Sequence, residues 1–302
     1  MFFFVFFLRP VRQPYGGVLR GGLLHGFSMM NHRRVNSDYH SPDRKIGWLA
    51  RLTPGLVFYL KMIQIVAGDS RSAQAGLYTN KRWILGSRRI ARALESVGIQ
   101  INVENIDSFI NLPSPCVFAG NHMSVLETFL LPGIIQPHRN ITFVVKDKLL
   151  TYPVFRDVIG ARRPIVVARV NPRRDLEIVL KEGVKRLKES SSVMLFPQPT
   201  RDPVFTPAHF NSLGVKLARR AGVPVIPIAI KSNAWGIGRW IKDFGKISPE
   251  IPVHIAFGEP ITITGNGRAA QEEIVRFISE KLREWGKEDE RMTKECRRPN
   301  DE

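Results

Sequence analysis

The sequence predicts an α/β fold with a central, mostly parallel or mixed sheet flanked by helices, preceded by an apolar N-terminal helix suited to a membrane surface. Three observations carry this expectation. Short β-type segments alternate with amphipathic helical segments from about residue 80 to about residue 285. Several of the β segments, such as 114–120 and 192–196, are almost wholly apolar, as strands covered on both faces are. Residues 46–67 form a separate, strongly apolar stretch upstream of that alternation.

Taken in order, residues 1–45 read as a loose leader. Their opening run, Met1 to Leu8, is apolar but far shorter than the roughly 20 residues that span a bilayer, and no basic region precedes it as a signal peptide requires. Residues 46–78 form an apolar, membrane-associating segment that contains Arg51, Pro54 and Lys61. A spanning helix would bury Lys61 near its middle at about 2.5–3.5 kcal/mol. An interfacial or re-entrant helix avoids that cost, because lysine snorkels; a helix buried in a soluble core is the alternative.

Residues 79–285 form the main domain. Trp83, Ser87, Ile90, Leu94 and Val97 share one helical face, and Gly98 stops that helix. Strands are expected at 99–103, 114–120, 141–145, 164–168, 192–196, 224–230 and 252–257. Helices are expected from Val125, from Pro172 with Asn171 as its cap, over 212–221 stopped by Gly222, and over 269–285. The tail 286–302 is polar and is expected to fray. In such a fold, function belongs at the carboxyl ends of the strands.

The composition narrows the function classes. Lys and Arg number 45 against 27 Asp and Glu, a formal +18. The excess suits an anionic membrane surface or phosphorylated substrates. Nucleic acid is disfavoured, because the basic residues fall in scattered pairs and no reader motif accompanies them. The two cysteines, Cys116 and Cys296, are far apart, which fits a reducing compartment and offers no metal site.

Two polar loops carry candidate chemistry. His122 follows a buried strand where a helix opens, and the positive end of a helix dipole favours its neutral, basic form. Glu127 lies within reach of His122 Nδ1–H and would orient the ring, leaving Nε2 to take a proton from a substrate hydroxyl. The spacing is equally compatible with a capping histidine and an unrelated exposed glutamate. The second loop, Phe196-Pro197-Gln198-Pro199-Thr200-Arg201, presents a hydroxyl, an amide and a guanidinium suited to phosphate, or is a plain surface turn.

Together the loops resemble a known family. Asn121-His122-Met123-Ser124-Val125-Leu126-Glu127 is similar to the Asn-His-x4-Asp motif of the glycerolipid acyltransferases, which include glycerol-3-phosphate and 1-acylglycerol-3-phosphate acyltransferases. Phe196 to Arg201 resembles their Phe-Pro-Glu-Gly-Thr-Arg motif. Arg169 stands where the family has the arginine of its second motif, and Val223 to Ile228 resembles the fourth. The departures are Glu127 for Asp, Gln198 for Glu and Pro199 for Gly, a pattern similar to a branch of the family with Glu in the first motif. They leave the acceptor open.

The resemblance implies transfer of a fatty acyl group from acyl-CoA or acyl-carrier protein to a hydroxyl of a lysophospholipid. His122 would be the base, oriented by Glu127, and backbone N–H groups at the helix start would hold the oxyanion. Arg169, Arg201 and Lys146 would grip phosphate, and Asn121, Phe196, Pro197, Gln198 and Thr200 would complete the substrate site. No metal or redox cofactor is implied. The expected location is the cytoplasmic face of the cell inner membrane, as a peripheral or monotopic protein. A non-catalytic lipid or acyl-chain binder on the same fold is the competing reading.

Overall fold

A computed structural model describes residues 38–152, 155–239 and 241–296, with side chains to residue 289. The opening run Met1 to Leu8 lies outside the described residues. The strands are β1 (Tyr39–His40), β2 (Ile101–Glu104), β3 (Val117–Gly120), β4 (Ile141–Lys146), β5 (Ile165–Val167), β6 (Ser192–Leu195), β7 (Val225–Lys231) and β8 (Val253–Phe257). The helices are α1 (Trp48–Leu52), α2 (Pro54–Gln74), α3 (Asn80–Glu95), α4 (Asp107–Ile110), α5 (Leu126–Ile135), α6 (Phe155–Ala161), α7 (Pro172–Lys188), α8 (Leu213–Ala221) and α9 (Arg268–Cys296).

The strands make one eight-stranded sheet in the order β1-β2-β8-β7-β3-β6-β4-β5. Strands β7, β3, β6, β4 and β5 are mutually parallel, while β8 runs antiparallel to β7. The sheet is therefore mixed, and helices cover both faces. Phe58, Leu94 and Leu131, from α2, α3 and α5, pack with Phe118 and Ile228 on one face. Val179, Leu217 and Ile274, from α7, α8 and α9, pack with Val117 and Leu195 on the other. Burial on both faces is why β3, β6 and β8 are buried at every position.

The local signals act as the residue types dictate. Asn171 caps α7 by accepting from the backbone N–H groups of Arg173 and Arg174, with Pro172 in the first turn. Gly222 ends α8 at φ 67°, a left-handed conformation that costs glycine little.

Two expectations change. Tyr39–His40, read as part of the leader, form edge strand β1 against β2. The last helix does not end near residue 285 but runs to Cys296. Trp285, Lys281 and Asp289 explain part of that length: Trp285 is buried and donates to Glu104, Lys281 also donates to Glu104, and Asp289 pairs with Lys231. The tail is polar, yet Asp289 within it pairs with Lys231 on β7.

The apolar 46–67 stretch folds as α1 and most of α2. Its inner face buries Phe58, Met62, Ile65 and Val66, while Trp48, Leu52, Leu56, Leu60 and Ile63 stay exposed on the outer face. Lys61 is exposed and donates to Ser96 Oγ at 2.6 Å. No described helix is long and apolar enough to cross a membrane.

Helix α5 has an interruption with a clear cause. Pro132 lies inside it and supplies no N–H to the helical ladder. The Ser87 hydroxyl of α3 inserts there, donating to Phe129 O and accepting from Gly133 N at 2.8 Å. This locks α3 to α5, the helix that begins at the candidate site.

Candidate active site

The parallel strands β3, β6, β4, β5 and β7 deliver their carboxyl ends to one edge of the sheet, and the loops beyond them carry the candidate residues. His122 lies in the loop between β3 and α5. Its ring stacks on Phe196, with centroids 4.2 Å apart and planes 12° from parallel. That contact and the backbone fix the ring: His122 N donates to Gln198 Oε1 at 2.7 Å, and His122 O accepts from Asp202 N at 2.9 Å. The two sequence loops are thus a single structure.

Glu127 is fully buried, with Oε1 3.6 Å from His122 Nδ1. That is ion-pair range and slightly long for a hydrogen bond, as catalytic contacts often are without substrate. The carboxylate also accepts from Met123 N at 2.6 Å, from Ser124 N at 2.9 Å and from the Ser124 hydroxyl at 3.2 Å. Ser124 Oγ lies 3.1 Å from Ser232 Oγ and accepts from Leu126 N. Burial alone would push the Glu127 carboxyl up, but the adjoining imidazole and the backbone donors outweigh it and hold the group below the ordinary glutamate range. The residue is therefore a carboxylate facing Nδ1.

Two details of the expected site need correction. Helix α5 starts at Leu126, so Glu127, not His122, stands in its first turn and feels its dipole. The N–H groups of Met123, Ser124 and Leu126 are also engaged by Glu127 and the Ser124 hydroxyl, so they are not free to hold an oxyanion. The carboxylate needs them: a buried charge must be compensated by donors.

The remaining residues divide by role. Asn121 is buried and binds the main chain of β7 at both ends of its amide, donating to Ile230 O at 2.7 Å and accepting from Ile230 N at 2.8 Å. Gln198 is buried and holds the His122 backbone. Both position the loop that carries His122. Pro197 is buried, and its carbonyl accepts from Asn211. Thr200 is exposed at the loop tip. Arg169, at φ 57°, donates to Pro199 O. Arg201 pairs with Asp243 at 2.6 Å, both about one-fifth exposed. Lys146 ends β4 on the same edge of the sheet and is half-buried.

Ser124, Ser232 and Asp243 are absent from the residues expected from sequence. Ser124 was legible: Ser-x-x-Glu ahead of an apolar run is the signature of a capping box, and Glu127 reaches back to Ser124 N as such a glutamate does. Ser232 lies more than a hundred residues downstream of Ser124, and Asp243 lies well beyond Arg201 and the strand β7 that follows it, so only folding joins each to its partner. No cluster of three or more metal-ligating side chains occurs among the described residues.

Residues 100–231 match the family model described as Acyltransferase. The span contains both loops described above. Among curated proteins, a 1-acyl-sn-glycerol-3-phosphate acyltransferase of Pseudomonas aeruginosa is 36% identical over 165 residues, covering 54% of this chain and 62% of the relative. A chloroplastic 1-acyl-sn-glycerol-3-phosphate acyltransferase of Brassica napus is 30% identical over 129 residues, 42% of this chain and 36% of the relative. The chain thus spans less than two thirds of the length of these relatives. The crystal structure of the 1-acyl-sn-glycerophosphate acyltransferase PlsC from Thermotoga maritima aligns with TM-score 0.58 at 21% identity, over 78% of this chain and 97% of that one, a likeness of fold.

Proposed function

We propose that this protein transfers a fatty acyl group from a thioester, acyl-CoA or acyl-carrier protein, to a hydroxyl of a lysophospholipid such as 1-acylglycerol-3-phosphate. The observation that carries the reading is the His122–Glu127 pair. A buried carboxylate, satisfied by backbone donors, faces Nδ1 of a histidine clamped against Phe196 at the carboxyl edge of the sheet. No nucleophilic serine or cysteine of the protein is needed, because the acceptor supplies the hydroxyl.

His122 Nε2 takes the proton from the acceptor hydroxyl as its oxygen attacks the thioester carbonyl. The tetrahedral intermediate collapses, breaking the C–S bond, and the departing thiolate recovers the proton from His122. Glu127 stabilises the imidazolium that exists between the two transfers. Arg201 and Arg169 lie at the adjoining loops and suit the acceptor's phosphate.

The relatives' names support the acceptor class. The exposed apolar stripe Leu52, Leu56, Leu60 and Ile63, flanked by Arg51 and Lys61, supports peripheral or monotopic attachment to an anionic membrane. We assign that surface to the cytoplasmic face of the cell inner membrane, where acyl thioesters are made. Attachment through this stripe predicts sedimentation with membranes after a high-salt wash and release by detergent; complete release by salt alone would refute it.

The test of the function is thioester consumption by purified protein with a panel of hydroxyl acceptors, wild type against His122→Ala. Loss of at least about 10²-fold in the variant is expected. Turnover that survives the substitution would refute His122 as the base. Folded, membrane-bound protein with no turnover on any acceptor would point to the lipid-binding alternative.

A further inference from the structure

Both substrates of the proposed reaction carry phosphate: the acceptor in its headgroup, and the donor in the phosphopantetheine arm that bears the thioester. Arg201, in the loop after β6, pairs with Asp243 from the segment after β7, and Arg169 follows β5. A groove of about 450 Å³ opens beside the histidine loop. Its volume is within the ~300–1,000 Å³ typical of small-molecule sites.

The groove starts at Met123, which follows His122, and at Pro203, which follows the residue bonded to His122 O. Its walls are apolar: Val204 and Phe205 from the loop after β6, and Leu282 from α9. The polar groups that line it are Lys231 at the end of β7, Asn233 just beyond it, and Ser279 and Arg283 on α9. Ser279 and Arg283 are four residues apart and so share one helix face. Lys231 is half-buried and held by Asp289, whereas Arg283 is exposed and makes no ion pair among the described residues. An apolar trough with sparse hydrogen-bonding groups and a fork-shaped cation at its rim matches a flexible amide-containing arm that ends in a phosphate.

We infer that this groove receives the phosphopantetheine arm of the acyl donor, with its phosphate at Arg283 and Lys231, while the acceptor's phosphate binds at Arg201 and Arg169. The inference rests on the acyl-transfer reading and deepens it by dividing the site between its two substrates. Helix α9, which lies outside the residues matched by the family model, then becomes part of the donor site. Phosphopantetheine is common to coenzyme A and to the carrier protein, so the groove recognises either source by the same chemistry.

The experiment uses the full chain as wild type, Arg283→Glu and Val204→Trp. Both substituted positions are exposed, and the tryptophan fills the groove. Donor KM is measured separately with acyl-CoA and with acyl-carrier protein at saturating acceptor, and acceptor KM at saturating donor. Binding of unacylated CoA and of holo-carrier protein is measured by calorimetry in a His122→Ala background. The expected result is a rise of about tenfold in donor KM in each variant, from the loss of one charge-assisted contact in Arg283→Glu and from the filled groove in Val204→Trp, with acceptor KM within about twofold of wild type. Binding of at least one unacylated donor should weaken by the same factor. The source that shows the effect identifies the donor.

A rise in acceptor KM instead, unchanged donor KM in both variants, or no binding of either unacylated donor would overturn the groove assignment. Arg283-dependent binding without turnover on any acceptor would refute the acyl-transfer reading while leaving the groove as a phosphopantetheine site, so the two failures are distinguishable.

Discussion

Replacing Glu127 by glutamine separates its two roles, because the carboxylate both satisfies the turn before α5 and faces the base. The glutamine side chain keeps an oxygen for the N–H groups of Met123 and Ser124, and the Ser124 hydroxyl, within reach of Ser232, can accept from the new amide. The structural cost is therefore small, about 1–2 kcal/mol. What disappears is the charge 3.6 Å from His122 Nδ1. At an effective dielectric of about 20, that charge stabilises an imidazolium by about 4–5 kcal/mol, which sets a ceiling near 10³-fold on its share of the rate. We expect kcat for thioester consumption at saturating acceptor to fall about 10²–10³-fold, while the urea midpoint moves only slightly. Alanine at the same position leaves the N–H groups of Met123 and Ser124 without an acceptor and is expected to cost about 3–5 kcal/mol of stability. A Glu127→Gln variant that keeps kcat within about threefold of wild type while remaining folded would refute the orienting role and leave Glu127 as a cap alone.

Acid stability should also report Glu127. Its folded pKa is below the ordinary value of about 4.3, so its contribution is full above that value and is lost as pH falls through the folded pKa; the Glu127→Gln variant should show a shallower acid limb in denaturation measured below about pH 4.3. His254 acts in a different window. Burial, aided by Lys231, pushes its pKa down from 6.5 to about 4, so the unfolded chain binds the extra proton and stability falls from pH 6.5 toward 4, by about 3 kcal/mol in all. His254→Phe, which retains a ring to stack on Trp285, should flatten that slope, and an unchanged slope would count against it. Ser87→Ala strips the partners from Phe129 O and Gly133 N and should lower stability by about 2 kcal/mol, read from the urea midpoint. Asp243→Asn releases Arg201 from its ion pair and should lower KM for a phosphate-bearing acceptor about threefold, with no effect on a phosphate-free one.

The alternation of elements is written in the chain itself, because that information is local. Asn171-Pro172 starts α7 and Gly222 ends α8 through hydrogen bonding and backbone sterics within a few residues. Apolar runs such as 114–120 mark buried strands because both faces of the sheet are covered. His122, Glu127 and Arg201 were legible because their motifs sit where strands end. How those motifs meet is a property of the packed sheet. The stacking of His122 on Phe196, the bond from His122 N to Gln198 and the pairing of Arg201 with Asp243 depend on strands that are distant in sequence being neighbours in the sheet. The length of α9 was hidden for the same reason. Its polar sequence beyond residue 285 reads as a frayed tail until Lys231, on β7, supplies a partner for Asp289. Local sequence specifies capping and periodicity, whereas the partner of a buried charge is specified only by the packed fold, since the donors that compensate it come from wherever the chain returns.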